Sequence, residues 1–88
     1  MLVNRIQESL IPAQAGFYAL RHTEGRWYAV PVFAWVVPAL GSFDVLTSEG
    51  RAEYDALESP DGRVYYSEIT REFASRDLYL DYRDEQAA

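Results

Sequence analysis

The chain has 88 residues, which supports one domain with a single modest core. Hydrophobic residues make up 49% and aromatic residues 15% of it, so we predict one ordered domain over residues 1–88. The chain has no cysteine, and this excludes disulfide scaffolds, zinc–thiolate sites and cysteine nucleophiles. Because the sequence shows neither an apolar run of about eighteen residues nor a signal-peptide core, we expect a cytoplasmic protein that binds no membrane.

The net charge of −6 is unevenly distributed along the chain. Residues 1–43 carry two acidic residues against three arginines, whereas residues 44–88 carry twelve acidic residues against five arginines. The two halves therefore have net charges of +1 and −7. A surface this acidic repels phosphate backbones, so direct binding to nucleic acid is not expected. The chain also lacks lysine, which excludes a Walker-type phosphate loop.

The first predicted elements are strands joined by a short turn. Residues 2–10 fit either a helix, with Val3, Ile6 and Leu10 on one stripe, or a half-buried strand; we favour a strand that leads into Ile11-Pro12, where the proline requires an extended residue before it. A second strand lies within residues 16–22, GFYALRH, because aromatic and β-compatible residues alternate there. Residues 23–25, Thr-Glu-Gly, are predicted to form the turn of a hairpin that enters the next strand.

The longest apolar run, RWYAVPVFAWVV, covers residues 26–37. Twelve extended residues would reach about 40 Å at roughly 3.3 Å per residue. A compact domain of this size is only about 30 Å across. Pro31 has no N–H to give to a central ladder, so we predict two strands, residues 26–30 and 32–37, which meet at a bend or bulge.

The second half begins with a predicted loop, PALGSF at residues 38–43, followed by a short strand at about residues 43–46 and a turn at residues 47–50. A second hairpin joins residues 54–58 to residues 63–67. Its loop, Ser-Pro-Asp-Gly, has proline and glycine at the positions that a type I turn favours.

The C-terminal segment has the features of a helix over about residues 76–85. Ser75 is a suitable N-cap, and Asp77 lies in the first turn, where the helix dipole favours an acid. The predicted apolar stripe consists of Leu78, Tyr79 and Tyr82. Together these elements predict an α+β fold: a small antiparallel sheet of about five strands, as a meander or a partly closed barrel, with one C-terminal helix over an open face.

Aromatic residues are too numerous for one small core. We predict that five of them fill it, because large side chains supply most of the buried area in a small sheet: Phe17, Trp27, Phe33, Trp35 and Tyr65. The remaining rings are therefore expected partly at the surface, next to acidic residues. Tyrosine flanked by charged residues is a common composition of protein-binding surfaces.

Catalytic chemistry has little support in the sequence. His22 is the only histidine, and no serine lies in a G-x-S-x-G elbow, so we expect a non-enzymatic protein without a cofactor or metal. A small hydrolase that uses His22 and carboxylates is a weaker alternative. Asp77 and Asp81 have the spacing to act as an acid–base pair or to hold a divalent cation, but a solvated acidic face is the favoured interpretation.

Three segments resemble a group of small uncharacterised phage and prophage proteins. They are IPAQAGFY at residues 11–18, AVPVFAW at residues 29–35 and SPDGRVYY at residues 59–66. The pattern of that group is an IPAQPG-like start, a strand, a P-V-x-A-W strand and a late PDG turn before a short helix. Ala15 departs from it, because the pattern has a second proline there. The resemblance implies a phage or prophage origin and supplies no active site.

We therefore predict a non-enzymatic phage protein that binds a host protein with a basic surface, for example a CRISPR effector, and blocks its nucleic-acid-binding site as an anti-CRISPR would. The alternative is a homo-oligomeric structural or assembly protein, a homodimer that pairs through aromatic edge strands and buries Trp27 and Tyr28. The predicted protein-binding residues form an acidic, tyrosine-rich surface: Glu53, Tyr54, Asp55, Glu58, Asp61, Asp77, Tyr79, Asp81, Tyr82 and Asp84.

Overall fold

The computed structural model describes residues 9–37 and 43–87. These residues form β1 (Ser9–Pro12), β2 (Tyr18–Thr23), β3 (Arg26–Val37), β4 (Phe43–Thr47), β5 (Gly50–Tyr54), β6 (Ala56–Glu58), β7 (Val64–Tyr66), β8 (Arg71–Phe73) and α1 (Arg76–Ala87). The strands form one antiparallel sheet in the order β5-β4-β3-β2-β6-β7-β8, and β1 pairs with β3. The predicted fold class is confirmed, although the strands are more numerous than the five expected.

β3 is one continuous strand, so the prediction of two separate strands in residues 26–37 is wrong. The molecule extends 52 Å along its longest axis, which leaves room for a strand of about 40 Å. The expected bulge is present within the strand, since the register with β4 shifts between Val32 and Ala34. β3 is therefore shared between two parts of the sheet, with β2 along its first half and with β1 and β4 along its second.

Pro31 fits inside β3 because its nitrogen faces an edge on which no described strand pairs with it. The neighbouring Val32 donates its N–H to the carbonyl of Phe17 on the β2 side, at 3.0 Å. Backbone groups of successive residues point to opposite edges, so the nitrogen of Pro31 points away from β2. Within the described residues, pairing on that edge begins only at Val32. Pro31 therefore costs the strand no ladder hydrogen bond.

Two predicted segments are described only in part. Of the strand expected at residues 2–10, residues 9 and 10 belong to β1, and residues 2–8 lie outside the described residues. The loop expected at residues 38–43 also lies outside them, apart from Phe43, which begins β4. The predicted turn at residues 47–50 is present between β4 and β5.

The hairpin between β2 and β3 closes with a two-residue turn. Glu24 and Gly25 both have positive φ, 54° and 77°, which is the pattern of a type I′ turn. Glycine adopts this conformation without strain, whereas glutamate does not. The sequence correctly located this hairpin, and the structure shows that one of its two central residues is strained.

Replacing Glu24 with asparagine should therefore stabilise the protein, by about 0.5–1 kcal/mol in a urea unfolding experiment. Asparagine tolerates the left-handed region better because its short side chain hydrogen-bonds locally. Glu24→Gln is the matched control, since it removes the charge and keeps a side chain of the same length. An equal gain in both variants would assign the effect to charge and contradict the conformational explanation.

The second predicted hairpin, between β6 and β7, is confirmed. The N–H of Gly62 donates to the carbonyl of Ser59 at 2.9 Å, which closes the type I turn. Gly62 has a φ of 89°, the left-handed conformation that follows such a turn in a three-residue hairpin loop.

Consecutive residues are buried on both faces of β2 and of β6, which divides the core in two. One cluster lies between the sheet and α1 and consists of Leu20, Ala56, Val64, Tyr66, Phe73 and Tyr79. The other lies where the two parts of the sheet pack together and consists of Ala19, Val32, Val45, Tyr54 and Leu57. β2 joins the clusters, because its consecutive residues Ala19 and Leu20 point to opposite faces.

Two of the five predicted core aromatics are exposed. Phe33 lies at the register shift of β3 and is 53% exposed, and Tyr65 alternates with two buried residues of β7 and so points away from α1. Phe17, Trp27 and Trp35 are half-buried beside the clusters. Tyrosines predicted for the surface fill much of the core instead.

The C-terminal helix is confirmed and ends two residues beyond its predicted boundary. The Oγ of Ser75 accepts a hydrogen bond from the N–H of Leu78 at 3.3 Å, as expected of an N-cap. Tyr79 is fully buried against the sheet, whereas Leu78 is 53% exposed and does not belong to the buried stripe. No helix within residues 9–37 and 43–87 has the length and apolarity that a membrane crossing requires.

Candidate protein-binding site

One face of α1 is uniformly acidic and exposed. It carries Asp77, Asp81, Asp84 and Glu85, which we call the acidic face. At 3.6 residues per turn these four side chains fall within an arc of about 100°, and they span about 12 Å of the helix axis. None of them takes part in an ion pair with any other residue that the structure describes.

The acidic face lowers the stability of the helix that carries it. Two pairs, Asp77 with Asp81 and Asp81 with Glu85, have i, i+4 spacing, at which like charges cost about 0.2–0.5 kcal/mol each. Asp84 and Glu85 lie near the negative end of the helix dipole, and the last turn contains no basic residue. Asp77, in the first turn, is favoured by the helix dipole, so the unfavourable end of the dipole acts on Asp84 and Glu85, and burial of Tyr79 offsets the cost of the acidic face.

Sequence reasoning predicted three of the four residues of the acidic face and missed Glu85. The helical period that links Asp77 to Asp81 continues to residue 85, so the signal was present in the sequence. The predicted helix also ended at this residue, and side chains at a predicted boundary are the hardest to place on a face.

Two of the predicted binding acids are engaged in the fold instead. The carboxylate of Glu58 accepts two hydrogen bonds from Arg76, at 2.6 and 2.8 Å, which ties β6 to the start of α1. Asp61 accepts hydrogen bonds from the hydroxyl of Ser59 and from the N–H of Arg63 within the hairpin turn. These bonds, that of Ser59 foremost, lower the pKa of the Asp61 carboxyl. Glu58 and Asp61 therefore each have partners within the fold, and the side chain of Asp61 is also 61% exposed.

The prediction that Tyr54 and Tyr79 contribute to an exposed binding surface is wrong. Both are buried, because each hydroxyl has a partner inside the protein. The Tyr54 hydroxyl lies 3.3 Å from the Oγ1 of Thr47, and the Tyr79 hydroxyl accepts a bond from Arg83 at 2.5 Å. Tyr82 is half-buried, with its ring 5.3 Å from that of Phe73. The exposed surface that remains is acidic but not rich in tyrosine.

Glu53 and Asp55, the other two predicted residues, are exposed at a cleft of about 410 Å³. Arg83 enters this cleft from α1 and packs its guanidinium against three rings: Trp27, Tyr66 and Tyr79, whose centroids lie 5.4, 4.8 and 5.7 Å away. The nearest carboxylate oxygen of Asp55 is 4.0 Å from it. Arg83 thus fastens the helix to the sheet through aromatic contacts rather than through a tight ion pair.

The ring of His22 stacks on that of Trp27 at 4.8 Å, and no residue in the described part of the chain forms a hydrogen bond with it. Within residues 9–37 and 43–87, no group of three or more His, Cys, Asp or Glu side chains is placed to hold a metal ion.

The hydroxyl of Tyr66 donates a hydrogen bond to Glu68 within the same hairpin. This bond, and then burial, raise the pKa of Tyr66 from 10.0 to about 12. An ultraviolet titration of phenolate absorbance should show a late step near pH 12 whose amplitude falls by one phenolate in Tyr66→Phe, since burial also raises the pKa of Tyr79. Since the neutral form of Tyr66 is favoured in the folded state, its contribution to stability is present below pH 10 and is lost between pH 10 and 12. A late step of unchanged amplitude in Tyr66→Phe would contradict the assignment.

Comparison of the chain with protein-family models, with curated proteins and with solved structures gives no match. The resemblance to phage proteins therefore stays a prediction from the sequence motifs. Two of those motifs are in contact in the structure. A Cβ at Gly16, in IPAQAGFY, would lie 3.1 Å from the Cβ of Pro60, in SPDGRVYY. The motif residues at this point serve packing rather than chemistry.

Proposed function

We propose that this is a non-enzymatic protein that binds a basic surface of another protein through the acidic face of α1. The observation that carries the proposal is that four exposed carboxylates lie on one side of one helix, although their mutual repulsion and the position of Asp84 and Glu85 near its C-terminus cost the helix stability. Charges that cost stability and have no partner within the described chain are best explained by a partner outside it. The exposed carboxylates replace the tyrosine-rich surface expected from the sequence.

The proposed mechanism is electrostatic occlusion. The acidic half of the chain attracts a basic surface over a distance of about a Debye length and speeds the encounter. Once docked, the carboxylates occupy arginine and lysine side chains that would otherwise bind phosphate groups. A phage- or prophage-encoded inhibitor of a host nucleic-acid-binding protein, such as an anti-CRISPR acting on a CRISPR effector, is the specific form of this proposal that the sequence motifs favour.

The test is capture of partners from a bacterial host lysate on the immobilised protein at two ionic strengths. We expect a captured protein that binds at about 50 mM salt and is largely released at about 300 mM, because screening shortens the range of the attraction. The double variant Asp81→Asn/Asp84→Asn should capture several-fold less of it.

The matched control is Glu24→Gln/Glu53→Gln, which removes the same number of charges from exposed positions outside the acidic face. If both double variants lose the partner equally, net charge rather than the acidic face is responsible, and the proposed site is wrong. Neutralising the acidic face should also stabilise α1, so a loss of binding in that variant does not arise from unfolding.

A second candidate function is self-association through β3. Among the described residues, residues 26–31 have no strand partner on the edge opposite β2, and Tyr28 is exposed beside that edge. Two copies that paired there would bury Tyr28 and form the homodimer considered from the sequence. Sedimentation of the wild-type protein should then show a dimer that Tyr28→Asp dissociates, whereas a wild-type monomer would exclude this function.

A further inference from the structure

A groove of about 420 Å³ lies between α1 and β8, the last strand of the sheet. Its helix side is lined by Leu78, Asp81, Tyr82 and Glu85, and its strand side by residues 71–74. Two of these residues, Asp81 and Glu85, belong to the acidic face. The groove is therefore the place where the acidic face meets the sheet.

The floor of the groove is apolar. The rings of Phe73 and Tyr82 form it, and Leu78 lies at its rim with more than half of its side chain exposed. α1 already buries Tyr79 against the sheet and does not need Leu78 for its own packing. An exposed leucine beside a pair of aromatic rings offers an apolar contact that the protein itself leaves unused.

The strand side of the groove offers backbone hydrogen bonds. Among the described strands, β8 pairs only with β7, so its outer edge has no partner. An extended segment of another chain binds such an edge by adding a strand, with main-chain bonds for affinity and adjacent pockets for specificity. A groove between an edge strand and a helix holds the added strand in place from the other side.

The charged residues of the groove determine which kind of segment it binds. Asp81 and Glu85 form no ion pair with any residue in the described part of the chain, Glu72 is held by Arg63 at 2.5 Å, and Arg71 stacks on the rings of Phe73 and Tyr82 at 4.6 and 5.6 Å. Three acidic residues and one arginine line the groove, which gives it a net negative charge. Because Arg71 already covers the aromatic floor, basic side chains of a bound segment would meet Asp81 and Glu85 on the helix side of the groove instead.

The spacing of the two unpaired carboxylates matches an extended chain. Asp81 and Glu85 are four residues apart, which is about 6 Å along the helix axis. Side chains on one face of a strand recur every two residues, or about 6.6–6.8 Å. Basic side chains at alternate positions of a bound strand would therefore each meet one carboxylate.

We infer that this groove binds an extended segment of the partner protein with arginine or lysine at alternate positions and an apolar residue that contacts Leu78. The inference rests on the proposed function, because it identifies the segment of the basic partner that the acidic face recognises. It also requires a particular spacing of the basic side chains in the partner, whereas attraction by net charge alone requires none.

The test uses two synthetic peptides of identical composition, arginine, alanine and one leucine, labelled for fluorescence anisotropy. In one the arginines alternate with the other residues, and in the other they form one block. We expect the full-length protein to bind the alternating peptide about tenfold more tightly, a difference of about 1.4 kcal/mol. Leu78→Ser should remove most of that preference, whereas Leu10→Ser, at an equally exposed leucine outside the groove, should leave it unchanged.

The outcomes separate the groove from the proposed function. Equal binding of both peptides, or no binding of either at about 50 mM salt, contradicts the inference that the groove binds a segment with alternating basic residues. So does a Leu78→Ser variant that behaves like Leu10→Ser. If the groove fails and Asp81→Asn/Asp84→Asn still loses the lysate partner, the proposed function stands without it. If that double variant captures its partner normally, the proposed function fails as well.

Discussion

Replacing Tyr79 with alanine should lower the free energy of unfolding by about 3–5 kcal/mol, as is typical when a fully buried aromatic side chain is truncated. The ring lies edge-on to Trp27, Tyr66 and Phe73 at centroid distances of 5.4 to 5.7 Å. Its loss leaves a cavity between α1 and the sheet and removes the hydroxyl that Arg83 contacts. Since small domains are stable by only about 5–15 kcal/mol, we expect the helix signal to melt at much lower urea.

Tyr79→Phe is the matched control, because it keeps the ring and removes only the hydrogen bond from Arg83. It should cost about 1.5–3 kcal/mol at most, the usual range for a bond to a charged group. Urea unfolding followed by circular dichroism compares the two variants directly. A Tyr79→Ala variant no less stable than Tyr79→Phe would show that the ring is not what holds α1 on the sheet.

Replacing Gly16 with alanine should cost about 2–4 kcal/mol, for two separate reasons. Gly16 has a φ of 103°, a conformation that L-residues adopt only with strain of about 1–3 kcal/mol. The added Cβ would also lie 3.1 Å from the Cβ and 3.2 Å from the Cγ of Pro60. The rigid ring of proline cannot rotate away, so either the loop before β2 or the β6–β7 turn must move.

Gly25→Ala separates the two causes, because Gly25 also has positive φ, 77°, but has no atom within 4 Å of an added Cβ. We expect it to cost about 1–2 kcal/mol, from strain alone. Combining Gly16→Ala with Pro60→Gly should restore the part of the lost stability that comes from the contact with Pro60. A double-mutant cycle measures this coupling free energy. Strict additivity in that cycle would rule out the contact between the two segments.

Local signals predicted the hairpins and the helix correctly. The Ser-Pro-Asp-Gly turn, the Thr-Glu-Gly turn and the Ser75 cap each act through a few neighbouring residues, so the sequence contains the whole cause. β8 was missed because three residues, Arg-Glu-Phe, are too few to show a period. The continuity of β3 was missed because it depends on whether the nitrogen of Pro31 faces a paired or an unpaired edge. That orientation is determined by the pairing of β3 with its neighbouring strands, which the sequence does not show.

The sequence predicted the site residues whose position depends on the helical period. It did not predict which tyrosines are buried, because their burial depends on tertiary contacts. Asp77, Asp81 and Asp84 follow from the period of one helix. Tyr54 and Tyr79 were assigned to the surface because the aromatic residues outnumber the places in a small core, and that count cannot tell which rings are buried. Their hydroxyl groups contact Thr47 and Arg83, which allows both rings to be buried. Both contacts form only in the folded chain, so the sequence does not reveal them.

The position of Pro31 limits how this protein can aggregate. Among the residues that the structure describes, no strand pairs with residues 26–31 of β3 on the edge opposite β2; this edge offers N–H donors at Trp27 and Ala29, since Pro31 has none and β4 occupies the edge from Val32 onward. A strand from another molecule could therefore form only a few backbone hydrogen bonds along this edge, although β3 is the most apolar stretch of the sequence. Growth of cross-β fibrils requires an unbroken row of backbone bonds from each molecule to the next. One proline in the middle of the longest strand therefore opposes fibril formation where the sequence is most prone to it.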